Sequence, residues 1–318
     1  MFRMRTLTDR ITPEESYDKM QKVDQLLALY NNFLASNINN EKILNKMATV
    51  YNNMEGYIVD RRSEIPRYFN GEYSPFTLPH RAVHFIREQG GSNEYNNYMD
   101  EVKHGIAIFF KEENPAAIIH ETNHSYSGTT YFQNIEGGVY KSGLNIQVIE
   151  NDEFVAKTGN IMDEGMTDAI AKYFYENNRE DISKIYGQTP EYNTNYSGIA
   201  RACEVLLGKN LSNKIFLDAY FGDINDLVNF QNYFDNVMKP ENITFNDLLQ
   251  ADFSKTSKEG NVDYSDNGLL YYACQYQLRS CENEQQRSET LQWFEEKNID
   301  FQSVQNQYEA KDTTKDSK

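Results

Sequence analysis

The run His120-Glu121-Thr122-Asn123-His124, closing the stretch Asn114-Pro-Ala-Ala-Ile-Ile-His-Glu-Thr-Asn-His, constrains this chain more than any other part of it. Asn114 is a good N-cap, Pro115 suits the first helical position, and Ala116 to Ile119 supply an apolar body, so the stretch predicts a helix. Two histidines four apart then project from one helix face, close enough to hold a single metal ion. Glu121, beside the first of them, can reach a water held by that metal. The pattern reads as a His-Glu-x-x-His zinc site. Such a site needs a third protein ligand and usually leaves a fourth position open to water, so a second element must bring a donor to this helix.

The segment Met162-Asp-Glu-Gly-Met-Thr-Asp-Ala-Ile-Ala-Lys-Tyr-Phe174 supplies a candidate. Its apolar residues recur at helical spacing, and Glu164 and Asp168 fall on a shared face. Glu136 and Asp163 are the other carboxylates that could fill the ligand position. Here the chain resembles the gluzincin branch of the zinc metallopeptidases, the thermolysin-like group. In that group His-Glu-x-x-His is followed on a later helix by a ligand glutamate, with an aspartate four residues beyond. The resemblance implies His120, His124 and Glu164 as metal ligands, Glu121 as general base, and Asp168 as acceptor for a histidine N–H. The group often has asparagine before the ligand glutamate, whereas this chain has Asp163, which can still accept a histidine proton but adds negative charge. The chain also looks like small bacterial proteins with an Asn-Glu-Gly-x-Thr type of second motif. That likeness is specific from Ile106 to Tyr175 and weaker to Leu227.

Thermolysin-like enzymes commonly use a later histidine to stabilise the oxyanion, and this chain has no histidine after His124. A tyrosine or arginine must then take that part. Tyr196 precedes a predicted helix start at Ser197 and falls where the resembling bacterial proteins tend to place a tyrosine, with Tyr192 as runner-up. His80 and His84 are also four apart, but Arg81 stands where the glutamate would be, and with His104 they read as packed or exposed residues.

Between His124 and Glu164, 40 residues apart, the alternating residues from Gly137 to Ile149 with Gly and Asn punctuation predict a β-hairpin. Ahead of the metal helix, Gly105 to Phe110 reads as a strand, either a plain core strand or, as in zincins, a sheet edge along which an extended peptide can pair. Further upstream, residues 13–36 carry Met20, Val23, Leu27, Tyr30 and Leu34 on one stripe, and Ile43, Leu44, Met47, Tyr51 and Met54 form a second, predicting an antiparallel helical pair. Downstream, a helix from Ser197 to Leu207 ends at Gly208, and others are suggested around 224–234, 269–278 and 289–297. The last ten residues have no apolar side chain larger than alanine and predict disorder.

A length of 318 residues accommodates one large or two small domains. The expected division is an N-terminal helical pair (1–60), a catalytic core (61–185), a C-terminal helical subdomain (186–305) and a disordered tail (306–318). A net charge of −17 with no basic stripe argues against nucleic acid or anionic membrane as partner. Three cysteines, Cys203, Cys274 and Cys281, cannot all pair within one chain and form no Cys-x-x-Cys, which favours buried thiols in a reducing compartment. With no secretory signal and no membrane-length apolar run, the expectation is a cytoplasmic protein, although export by a route without a cleavable signal stays open. The fold expected is α+β and zincin-like, mostly helical with a small sheet beside the metal helix. The function expected is zinc-dependent hydrolysis of peptide bonds in a peptide or protein substrate. Two alternatives remain: a non-enzymatic metal-binding or sensor domain, and an effector or toxin protease specific for one protein.

Overall fold

A computed structural model describes residues 3–6, 13–58, 106–110, 115–134, 137–150, 153–187, 192, 197–250 and 266–313. The chain divides into two compact units, one formed by 1–156 with 170–193 and the other by 157–169 with 194–318. One of its cuts, at 169/170, falls within a long helix described below. The fold class is α+β, with seven strands among the described residues in two small sheets and helices elsewhere.

The first unit opens with β1 (Arg3–Thr6), then α1 (Pro13–Asn37), α2 (Glu41–Asn53) and β2 (Met54–Ile58). β2 pairs in parallel with β1 on one side and with β3 (Ile106–Phe110) on the other, so the two helices form the crossover that parallel pairing requires. β3 is therefore an edge strand among the described residues. Met54, expected on the α2 stripe, is instead the first residue of β2, because its register with Ile106 passes its backbone to the ladder. Of the α1 stripe, Val23, Leu27, Tyr30 and Leu34 are buried, while Met20 is half-buried; Leu26 is buried beside them. A three-residue connection reverses the chain, Tyr51 of α2 donates to Asp24 of α1 at 3.1 Å, and both helices pack on the next one.

That next helix, α3 (Pro115–Ser127), carries the His-Glu-x-x-His run directly after β3, as expected; Asn114 lies outside the described residues. It leads into an antiparallel sheet of β4 (Gly128–Asn134), β5 (Gly137–Ser142), β6 (Asn145–Glu150) and the neighbouring β7 (Glu153–Thr158). β5 and β6 are the expected hairpin. Gly143 opens its two-residue loop at φ 57, the positive angle such a loop needs at its first position and one that costs glycine nothing. β4 and β7 were not legible in the sequence.

Helix α4 (Asn160–Asn177) follows, then a short α5 (Arg179–Tyr186) closed by Gly187 at φ 71. The second unit contains α6 (Ser197–Leu207), α7 (Lys214–Phe221), α8 (Ile224–Met238), α9 (Phe245–Leu249), α10 (Asp266–Arg279), α11 (Glu284–Glu296) and α12 (Phe301–Thr313). Its core includes an aromatic cluster: Phe216 and Phe230 lie 4.5 Å apart between ring centres, Phe230 and Phe245 4.9 Å, and Phe234 and Tyr276 5.0 Å. Gly208 ends α6 at φ 73, as its position in the sequence implies.

Two expectations fail at the C-terminus. α11 starts at Glu284 rather than Glu289, because the Asn283 side chain caps it by accepting from the Gln286 N–H at 2.9 Å, and a cap needs no apolar residue. The expected tail from 306 is helical to Thr313. Tyr308 anchors it: its ring stacks on Tyr271 at 4.2 Å and its hydroxyl meets that of Tyr272 at 2.7 Å. Among the described residues no helix is long and apolar enough to cross a membrane. The three cysteines are free thiols, two of them buried and Cys281 half-buried. Burial pushes the Cys274 thiol up to about 12, so it stays protonated at neutral pH.

Candidate metal centre

Helix α3 is buried along nearly all of its length, yet half of it is polar. Thr122, Asn123, His124, Ser125 and Ser127 are all buried. Two of its hydroxyls are satisfied locally, Thr122 donating to the Ile118 carbonyl at 2.7 Å and Ser125 to the Glu121 carbonyl at 3.2 Å. The end of the helix is closed by the hairpin that follows. Ser127 and Ser142 both donate to the His124 carbonyl, at 3.1 and 3.4 Å, and the Gly143 N–H reaches the Ser127 carbonyl at 3.4 Å. These bonds satisfy carbonyls that a helix end otherwise leaves open, and they tie the second histidine's backbone to the turn of the hairpin.

The two imidazoles converge, with Nε2 of His124 3.1 Å from Nε2 of His120. Two nitrogens bound at about 2.0–2.1 Å to one tetrahedral ion lie about 3.3 Å apart, so this spacing suits a shared ion. Glu164, in the first half of α4, completes the set: one donor atom from each of His120, His124 and Glu164 lies within 4.8 Å of the others. His124 is buried while His120, Glu121 and Glu164 are half-buried. Two imidazoles and a carboxylate, with Glu121, Asp163 and Asp168 nearby in sequence, form a donor set that suits a divalent cation. The residues present therefore fit a metal.

Asp168 lies one turn beyond Glu164 and is buried. Asp163 is also buried; burial pushes the Cys203 thiol well above its ordinary value, and the negative charges of Asp163 and Asp168 push it in the same direction.

Gly165, read in the sequence only as part of a motif, has a steric reason. A Cβ built there would lie 2.3 Å from Cγ2 of Ile199 in α6, so only glycine permits this approach. Two residues later Thr167, fully buried, donates to the Asp163 carbonyl at 2.8 Å, and its hydroxyl also meets that of Tyr220 at 2.6 Å. Neither Ile199 nor Tyr220 could be tied to the site by sequence pattern, since each reads as an ordinary apolar helix position.

Of the remaining candidates, Tyr192 is half-buried with its ring 5.5 Å from that of Tyr175. Tyr196, Glu136, His80, His84 and His104 lie outside the described residues. No family model, curated protein or solved structure matches this chain.

Proposed function

We propose that the chain is a zinc-dependent peptidase of zincin-like architecture. One observation carries the reading: the donor atoms of His120, His124 and Glu164 gather within 4.8 Å, with the half-buried Glu121 next to the first of them in sequence. Two histidines and one carboxylate make the three-ligand set of a catalytic rather than a structural zinc site. Bound there, zinc supplies a Lewis acid that polarises a scissile carbonyl and acidifies a water.

The chain's own residues do the rest. His120, His124 and Glu164 orient the ion, and Asp168, buried one turn from Glu164, is assigned to accept a histidine N–H. Glu121 accepts the proton lost by the attacking water and delivers it to the leaving amine nitrogen. Metal binding alone has no need of that carboxylate, so Glu121 favours the enzyme over the sensor alternative. Tyr196 is the residue assigned to donate a hydrogen bond to the oxyanion. β3, at a sheet edge among the described residues and shortly before α3, offers backbone groups with which an extended peptide can pair.

The test is cleavage of a diverse peptide library by wild type and by Glu121→Gln. Glutamine is nearly isosteric but cannot serve as base, so the variant is expected to keep its metal and lose about 10²- to 10⁴-fold in turnover. Equal cleavage by both proteins removes Glu121 from the mechanism. Metal binding without cleavage by wild type favours the sensor.

A further inference from the structure

Helix α1 carries Tyr30 and Asn31 side by side, and α3 carries Asn123 and Tyr126 three residues apart. The two pairs cross-link reciprocally. The Tyr30 hydroxyl donates to Oδ1 of Asn123, and the Tyr126 hydroxyl donates to Oδ1 of Asn31 at 2.6 Å. The rings of Tyr30 and Tyr126 are nearly parallel, 3° apart, with centres separated by 6.5 Å. Tyr30, Tyr126 and Asn123 are fully buried, which pushes both phenols well above their ordinary values and keeps them as donors. Tyr30 also touches the other ligand-bearing helix, its ring standing edge-on to Phe174 of α4 at 4.8 Å. A plain core residue needs the ring, but not the hydroxyl aimed at an amide that lies between the two histidines.

Resting on the metal reading above, we propose that Tyr30 is a positioning residue, fixing the rotation of α3 about its axis, and so the aim of His120 and His124, through its bond to Asn123. Asn123 adjoins His124 in sequence and sits about 60° from His120 around the helix. Two directional bonds at different heights on α3 oppose both sliding and turning of the helix. A turn of about 20° at a side-chain radius of about 6 Å moves a ligand atom by about 2 Å, enough to spoil the coordination of one ion.

The test compares wild type with Tyr30→Phe, which keeps the ring and removes the hydroxyl, and with Tyr30→Phe/Asn123→Leu, which also removes the amide left without its donor. Zinc affinity is measured by chelator competition, and the visible spectrum of the cobalt-loaded protein reports ligand geometry. Both variants are expected to bind zinc about 10- to 100-fold more weakly than wild type, with altered cobalt bands, in protein that remains folded by circular dichroism. Wild-type affinity and spectrum in either folded variant overturn the proposal, whatever happens to the melting temperature. Failure of both variants to fold also overturns it, leaving Tyr30 a core residue. If wild type itself binds no more zinc than His120→Ala/His124→Ala, the metal reading has failed instead.

Discussion

Helices α3 and α4 are both largely buried, but they are held by different means. On α3 the buried residues of the second half are mostly polar: Thr122, Ser125 and Ser127 bond to carbonyls of their own helix, and Asn123 and Tyr126 bond to α1. On α4 the buried residues include Met162, Met166, Ala169, Ile170 and Phe174, with Gly165 pressed under Ile199. Directional bonds set angles, whereas close packing resists changes of volume. α3 is therefore the helix whose aim is sensitive to losing a single hydroxyl. α4 is the helix sensitive to gaining a single methyl.

The largest expected effect separates the helices by chemistry. Glu121→Gln on α3 is expected to keep zinc and lose hydrolysis, while Glu164→Gln on α4 loses zinc first and hydrolysis with it, because an amide oxygen is a poor substitute for a ligand carboxylate. Zinc content and turnover measured on both variants decide this, and the contrast collapses if the two behave alike. Next in size is Tyr196→Phe, which tests whether a residue on neither helix contributes. Removal of an oxyanion donor is expected to lower kcat by about 10²- to 10³-fold with KM and zinc content nearly unchanged. A wild-type kcat rules it out.

A smaller effect is expected from Asp168→Ala, with zinc affinity about 10- to 100-fold weaker if the buried carboxylate supports the ligands. Unchanged affinity would leave it a packing residue of α4. The smallest concerns packing alone: Gly165→Ala is expected to destabilise the protein by about 1–3 kcal/mol, because the new methyl overlaps Ile199. Chemical denaturation reads this, and pairing it with Ile199→Val should recover part of the loss. A neutral Gly165→Ala would mean that α6 gives way easily and that α4 is not held by close approach.

The two helices also differ in what the sequence revealed. The α3 boundaries and the facing of its histidines follow from local signals, proline at the first turn and histidines at i and i+4, which act within a few residues. Glu164 was accessible because its helix has the same apolar period, and the hairpin between the helices because glycine marks its turn. What holds these parts in place was hidden. Tyr30 to Asn123 spans 93 residues, Thr167 to Tyr220 spans 53, and nothing in a pattern of apolar spacing says which hydroxyl meets which partner. β4 and β7 were missed because a strand needs a neighbour that only the folded chain supplies. The C-terminal helix was missed because one tyrosine, Tyr308, anchors an otherwise polar segment to Tyr271 and Tyr272.

If α3 and α4 together hold one catalytic zinc, elemental analysis detects it. Wild-type protein prepared without chelator is expected to carry about one zinc per chain, and the His120→Ala/His124→Ala variant almost none. Equal zinc content in the two proteins would contradict the account.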